Sequence, residues 1–463
     1  MSSFWKSAIV TSVCFVAAAH GFGRELADFG VIGDGKADDT AAVQKAIDSA
    51  AHEIRFSSGT YRLTKTVVID LDKTGFVSLK GDGTARIVME GAGPAFHFIG
   101  THEGTADPAS VKPGVWAKQR MPTVEGLEIV GAHAEADGFE ATGTMQLTIT
   151  RCTVREARHA VRLTRRNRNV LISDCHFYHN RGIGVYLDQV DLHQTNINGC
   201  HISYCAGGGV VSRGGSVFNI QIGSCDIESN MTPDGPPGAN VLLDCTNGVV
   251  AEVEITGCTI QHNSDSPGSA NIRYIGRSKP VAGQSDVEKE KSGQLTITGN
   301  VISDVMVNVH IQHARGVVIS GNTFEFAYDH DLVIEDSRQV VVGNNAFDRN
   351  PRYVRGRYAE ANGGLLFQRS HDCILNGLAI HGVLRHPAAV SLEDCTGFNV
   401  TGCSITDSEG PGLLLKNVSD SLITACRIKD RRPDRKEAPS IRIENSKDNV
   451  LANNLLSHGV EEH

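Results

Sequence analysis

NVLISDCHFYHNRGIGVYLD, residues Asn169 to Asp188, decides the architecture. It reads as a short strand around Val170 and Ile172, a tight turn at Asp174-Cys175 and a second short strand around His176 and Phe177. A polar bend and a third strand, Gly184 to Asp188, complete the unit. Aligning its turn residue with the rest of the chain yields a ladder: Cys152, Cys175, Cys200, Cys225, Cys258, Asn300, Asn322, Asn345, Asn376, Cys403, Cys426 and Asn454. Three consecutive steps measure 23, 25 and 25 residues, and self-similarity at that period marks a stacked repeat. The units hold only short strands separated by Gly, Asn and Asp, with no helical period, which disfavours leucine-rich and helical solenoids. Three short strands per turn, each pairing with its equivalent one rung along, form an all-β, single-stranded right-handed parallel β-helix with rungs about 4.8 Å apart. Identical residues then stack: an inward Asn bonds to its neighbours above and below, and Cys is small and apolar enough to pile up.

The third strands align as HAVRLT, GVYLDQ, GVVSRG, NVLLDC, NIRYIG, NVHIQH, DLVIED, GLLFQR, AVSLED, GLLLKN and SIRIEN. Their second and fourth positions are mostly Val, Ile or Leu and face the core, so the third and fifth face outward. Rung by rung the outward pairs are Arg162/Thr164, Tyr186/Asp188, Val211/Arg213, Leu242/Asp244, Arg273/Ile275, His310/Gln312 and Val333/Glu335. The stretch from Tyr186 to His310 has the richest mixture of acid, base and aromatic groups. It is the surface on which chemistry is expected.

The 463 residues carry a formal charge of −9, which gives no general attraction to nucleic acid or anionic membrane. Residues 1–21 combine Lys6, an apolar run from Ala8 to Ala19 and small residues at Ala17 and Ala19, the pattern of a secretory signal peptide. The run is too short to span a bilayer, so a secreted, periplasmic or cell-surface protein without membrane insertion is expected. Residues 22–463 read as one β-helix domain, and association of chains stays open. Of twelve cysteines, Cys14 lies in the leader and most others occupy the ladder, which favours buried thiols. The pairs Cys200/Cys205 and Cys395/Cys403 are close enough in sequence for a disulfide.

Val43, Ala46, Ile47 and Ala50 fall at helical spacing behind a capping Asp39 or Thr40, predicting an amphipathic helix over about residues 40–51 that covers the open first rung. The stretch LADFGVIGDGKADDTAAVQKAID (Leu26 to Asp48), with FSSGTY (Phe56 to Tyr61) and LKGDG (Leu79 to Gly83), resembles the opening of the pectate lyase superfamily. The similar branch is the one containing rhamnogalacturonases, epimerases and phage tailspikes. The resemblance implies the β-helix but no single activity, because that superfamily hosts hydrolases, lyases, epimerases and inert binders. Asp34, Asp38 and Asp39 are read as turn and cap residues rather than a calcium loop.

The polygalacturonase signatures are absent except Arg427-Ile428-Lys429, which follows Cys426 off the outward strand. Tyr328-Asp329-His330-Asp331 is similar to the Asp-Pro-His of alginate epimerases but lacks the Pro and is placed before the strand. Asp188 and Asp244 share a column two rungs apart, roughly 9–10 Å between attachment points, near the spacing of an inverting carboxyl pair. Under an elimination reading, Arg213 or Arg273 neutralises a uronate while His310 or Tyr186 takes the C5 proton. The expected catalytic set is therefore Asp188, Arg213, Asp244 and His310. Tyr186, Asn271, Arg273 and Glu335 are expected to touch the substrate. A soluble column of cross-strand charge pairs is the plain structural alternative. His310-Ile-Gln-His313 lacks a third ligand, so no metal is assigned, and calcium enters only with elimination. Arg349 to Gly363, with four arginines and Tyr353 and Tyr358, has the composition of a sugar-binding lip or of an ordinary surface loop.

The favoured reading is a secreted enzyme cleaving glycosidic bonds of an acidic, uronate-containing polysaccharide by hydrolysis or β-elimination. A non-catalytic glycan binder or cell-surface β-helix, and a polysaccharide C5-epimerase, are the alternatives.

Overall fold

The computed structural model describes residues 24–50, 52–235, 238–278, 292–352, 356–433 and 438–463. The leader expected over residues 1–21, most of the charged stretch between Gly276 and Gly293, and Tyr353 lie outside the described residues. Among the described residues the chain winds into a parallel β-helix of forty-two strands, all linked through parallel pairings. Sequence-equivalent strands pair rung to rung: His176 opposes His201, His201 opposes Asp226, and Asp226 opposes Thr259. Long strands such as Ile183–Asn198 bend from the third face of one rung into the first face of the next.

The cap forms as the 3.6-residue period requires. Helix Thr40–Asp48 buries Val43, Ala46 and Ile47 against the first rungs but ends short of the expected residue 51, and Ala50 is exposed because the chain turns there at a φ of 54°. Gln44 also finishes the open edge: its Oε1 accepts from the Val68 N–H at 2.9 Å and its Nε2 donates to the Val68 carbonyl at 2.9 Å. One amide side chain thereby replaces the strand that is missing there. The cap expected at Asp39 differs in detail. Asp39 accepts from the Ile32 and Gly33 amides, while Asp38 takes the Thr40 N–H at 3.0 Å and Asp34 takes those of Lys36 and Ala37. All three acids serve turns, as read from the sequence.

Inside the coil the ladder runs as expected through most of its length. Cys152, Cys175, Cys200, Cys225 and Cys258 are buried free thiols, followed by Asn300, Asn322 and Asn345. The Asn300 amide donates to Asn322 Oδ1 at 2.9 Å and Asn322 to Asn345 at 3.0 Å. Asn376 is a correction: it is exposed, and Leu378 fills the rung, because the backbone of Ala379 rather than of Gly377 continues from Asn345. All eleven described cysteines are unbonded and buried, so neither candidate disulfide is formed here.

A second internal ladder corrects a site expectation. Asn240 donates to Asn271 at 2.8 Å, Asn271 to Asn308 at 3.0 Å, and Asn308 to Asp331 Oδ1 at 2.9 Å. Asn271 is wholly buried, with its amide also bonded to the Ser303 carbonyl, so it cannot touch a substrate. The first residue of NIRYIG points inward because it belongs to the turn ladder rather than to the outward alternation.

Candidate functional site

The third-strand register places the outward residues in two columns. One runs His97, Glu140, Arg162, Tyr186, Val211, Leu242, Arg273, His310, Val333. The other runs Thr142, Thr164, Asp188, Arg213, Asp244, Ile275, Gln312, Glu335. Apart from Asn271, the expected site residues therefore do share one face, but they separate into two centres. Four strand spacings, about 19 Å, lie between the rung of Asp188 and that of His310.

The first centre is closed on itself. Asp188 Oδ2 accepts from Arg162 Nε at 3.0 Å, and Arg162 also reaches Glu140 at 3.6 Å. Tyr186 is half-buried, and its phenol is held above its ordinary pKa, first by burial and then by the adjacent Asp188 carboxylate. Its ring lies 5.2 Å from that of His159, tilted by 46°. Burial drives His159 down to about 4, so it is neutral, and its Nδ1 accepts the Ile183 N–H at 3.1 Å. His97, similarly depressed by burial, faces Glu140 at 3.7 Å. Glu140, His97 and His159 escaped the sequence reading. The first two were within reach of the same alignment carried two rungs further towards the N-terminus.

Between the centres the face is apolar. Val211 and Leu242 pack with Ile183, Ala239 and Ala270, and Tyr186 and Ile275 lean on them. At the edge of this saddle Arg213 is exposed and makes no ion pair among the described residues, and Asp244 Oδ1 accepts the Thr246 N–H at 2.9 Å.

The second centre is open. Arg273 is half-buried, and its guanidinium reaches the Gly268 carbonyl at 2.6 Å and the Gly238 carbonyl at 3.5 Å. It forms no ion pair among the described residues, and burial lowers its pKa. Arg273 Nε points at His310 Nδ1, 3.4 Å away, while His310 Nε2 lies 2.8 Å from Glu335 Oε2. An arginine can only donate, so the network assigns the His310 proton to Nε2 and leaves a lone pair on Nδ1. Burial holds His310 below its ordinary pKa against the raising effect of Glu335. Gln312 also donates to Glu335, at 3.4 Å, and Arg369 bridges Glu335 and Asp336 at 3.2 and 2.9 Å. Arg369 follows its strand as a turn residue, so outward alternation could not reveal it.

Beside this centre opens a cleft of about 560 Å³ lined by Arg277, Arg315, Arg338, Arg369, His313, His371 and Asp336. A smaller one of about 310 Å³ has His262, Asp304, Tyr328, Arg357 and Tyr358 in its wall. Two arginines of the loop from Arg349 are engaged: Arg349 donates to the Ala359 carbonyl at 2.9 Å, and Arg357 lies over Tyr328 at 5.1 Å while pairing with Asp265. His310 faces Arg273 and Glu335, whereas His313 lines the cleft. Two other groups bring three metal-type ligand atoms within 4.8 Å of one another, Asp329/His330/His386 and His201/Asp226/Glu228. His330 and Asp331 begin their strand, His330–Glu335, rather than preceding it.

Three family models match successive parts of the chain. Residues 23–120 match "Rhamnogalacturonase A/epimerase, pectate lyase-like", residues 110–250 "Right handed beta helix region", and residues 254–462 "Periplasmic copper-binding protein (NosD)". No curated protein matches the sequence. Among solved structures, the A-module of the Azotobacter vinelandii mannuronan C-5 epimerase AlgE6 is similar at 15% identity and a TM-score of 0.39, over 92% of this chain and 99% of that one. The Dettilon tailspike protein is similar at 12% identity and a TM-score of 0.48, over 91% of this chain and 68% of that one. A thermostable α-1,3-glucanase from Streptomyces thermodiastaticus is similar at 12% identity and a TM-score of 0.41, over 94% and 68%. No helix among the described residues is long and apolar enough to cross a membrane. The wound parallel sheet, its capped first rung and the partial family matches agree on the fold: the chain is a right-handed parallel β-helix whose opening matches the pectate lyase-like family model.

Proposed function

We propose that this is an exported enzyme that cleaves an acidic, uronate-containing polysaccharide by β-elimination at Arg273, His310 and Glu335. The observation that carries the reading is the 2.8 Å contact between His310 and Glu335 beside a guanidinium without a carboxylate partner among the described residues. A uronate carboxylate laid on Arg273 has its charge neutralised, which makes the neighbouring C5–H more acidic. A carboxylate that draws the Arg273 Nε–H off His310 Nδ1 frees the lone pair there, and the same placement brings C5–H towards it. His310, kept neutral by burial, takes the proton, and Glu335 holds the ring and stabilises the imidazolium. The C5–H electron pair becomes the C4–C5 double bond, the C4–O4 bond breaks, and the imidazolium returns its proton to O4. The arginine-lined cleft beside the centre favours an anionic polymer.

Hydrolysis by Asp188 and Asp244 has less behind it. Asp188 is engaged by Arg162 and Asp244 by the Thr246 amide, and neither is arranged as a proton donor. Of the groups able to hold a metal, Asp329/His330/His386 suits copper(II) or zinc, and neither it nor His201/Asp226/Glu228 offers the roughly six or more oxygens of a calcium site. No step above runs through a metal.

Incubation of the purified protein with a panel of acidic polysaccharides, recording ultraviolet absorbance and reducing ends together, tests the reading. Unsaturated, absorbing ends are expected. New reducing ends without absorbance would replace it with hydrolysis, and altered polymer composition without shortening would replace it with C5 epimerisation. An intact polymer with retained binding would leave a glycan-binding protein.

A further inference from the structure

The turn preceding the third strand carries a second constellation that plays no part in that reaction. Asp329 and His330 lie where the chain enters the strand His330–Glu335, and His386 comes from the turn before Val390–Glu393, two rungs further along. Rings that far apart meet only if the rung between them presents no side chain. That rung presents Gly363-Gly364. A Cβ on Gly364 would stand 3.2 Å from the His386 ring and 3.2 Å from Val383, and one on Gly363 would stand 2.9 Å from the Asp331 carboxylate. With those positions vacant, the His330 and His386 ring centroids approach to 4.1 Å.

The ring nitrogens are set up as ligands rather than as a packed pair. His386 Nε2 lies 2.8 Å from the Asp329 carbonyl, so it carries the proton and Nδ1 keeps its lone pair. An N–H bonded to a backbone carbonyl is the usual way an imidazole ligand is oriented. His330 Nδ1 is buried and has no properly directed hydrogen bond, although Asp329 Oδ1 is only 3.1 Å away. Below them, Asp331 accepts from Asn308 at 2.9 Å and from the Gly364 amide at 3.2 Å, which ties the glycine rung to the internal ladder.

We infer that Asp329, His330 and His386 form a binding site for one divalent first-row transition ion, with copper(II) and zinc as the fitting chemistries. Two imidazoles and one carboxylate select such ions over calcium or magnesium. The ligand atoms now lie within 4.8 Å of one another, and on a tetrahedral ion with bonds of about 2.0–2.1 Å they would stand roughly 3–3.5 Å apart, so small side-chain rotations complete the site. The Asp329 side chain is 49% exposed, which leaves a fourth position to water and makes the ion exchangeable.

The full chain, stripped with a chelator, is titrated with copper(II) and with zinc by calorimetry, and the copper form is examined by electron paramagnetic resonance. One ion per chain with coupling to two nitrogens is expected. His386→Gln and His330→Gln should each weaken binding by more than the roughly 10–100-fold lost with an outer partner. Asp329→Asn, on the half-exposed side chain, should weaken it without altering the melting curve, which guards against a folding artefact. His201→Gln should leave binding unchanged. Native affinity retained in the His330→Gln and His386→Gln variants, a loss that falls on His201→Gln, or no binding by the native chain overturns the assignment.

Discussion

The two charge centres on the third-strand face use similar residues for opposite ends. Around Asp188 the half-buried charges are paired: Arg162 satisfies Asp188 and reaches Glu140, Arg158 holds the buried Asp137 through two bonds of 2.9 and 2.6 Å, and only the exposed Arg213 on the next strand makes no ion pair among the described residues. Around His310 the pairing is left unfinished. Arg273 spends its donors on carbonyls and on an imidazole, and the carboxylate that could have neutralised it, Glu335, bonds His310 instead. A cation half-withdrawn from water with no anion partner is costly unless something supplies one. The lesson is that an arginine beside an acid on a sheet is first a device for solubility and register, and that chemistry is to be sought where the pairing stops.

Replacing the base gives the sharpest separation of the two centres. His310→Gln should lower turnover by roughly 10²–10⁴-fold, the range for loss of a general base, with an unchanged melting temperature. Turnover within a few-fold of native would move the chemistry away from this centre. Arg273→Ala comes next. Losing a charged hydrogen bond to the substrate carboxylate costs about 1.5–3 kcal/mol, or roughly 10–150-fold in kcat/KM. The loss should shrink sharply on a methyl-esterified polymer, and an equal loss on both substrates would deny the arginine its neutralising role.

Asp188→Asn is expected to do the reverse. It leaves kcat near native but removes the main partner of a partly buried guanidinium, costing about 1–2 kcal/mol, read as a lower urea midpoint. A large fall in kcat with unaltered stability would restore Asp188 as a catalytic group and erase the contrast.

Most of the fold was legible because its signals are periodic. The steps of 23, 25 and 25 residues at the turn cysteines, and the alternation in the third strands, are local facts repeated often enough to fix the register of the outward columns. Where repetition lapsed, reading failed. Asn376 follows an Ile-Leu pair as its ladder equivalents do, yet packing puts Leu378 in that rung. Asn271 was read as outward because a strand-initial polar residue looks the same from sequence whether it faces water or an internal amide ladder. The site was legible in its columns but not in its partners. Which acid Arg162 or Arg273 meets depends on side-chain directions across rungs, and His386 reaches His330 only because two glycines intervene. No one-dimensional pattern carries that.

The smallest effect discriminates most finely between a base and a mere structural histidine. Glu335→Gln keeps an acceptor for the His310 Nε2 proton but removes the negative charge that raises the imidazole pKa. Burial already holds that pKa below its ordinary value, so the neutral, base-competent form exists to lower pH than a free histidine would allow. Activity should therefore fall only on the acid side, as protonation of Nδ1 removes the base. In the variant the charge that favoured the imidazolium is gone, the pKa drops further, and the acid limb of kcat/KM must move to lower pH. The plateau must fall a few-fold at the same time, because the imidazolium formed in the reaction loses its counter-charge. A limb that stays put, or moves to higher pH, means that the titrating group is not His310. A limb that moves while the plateau holds means that Glu335 tunes the ring without sharing in the proton transfer.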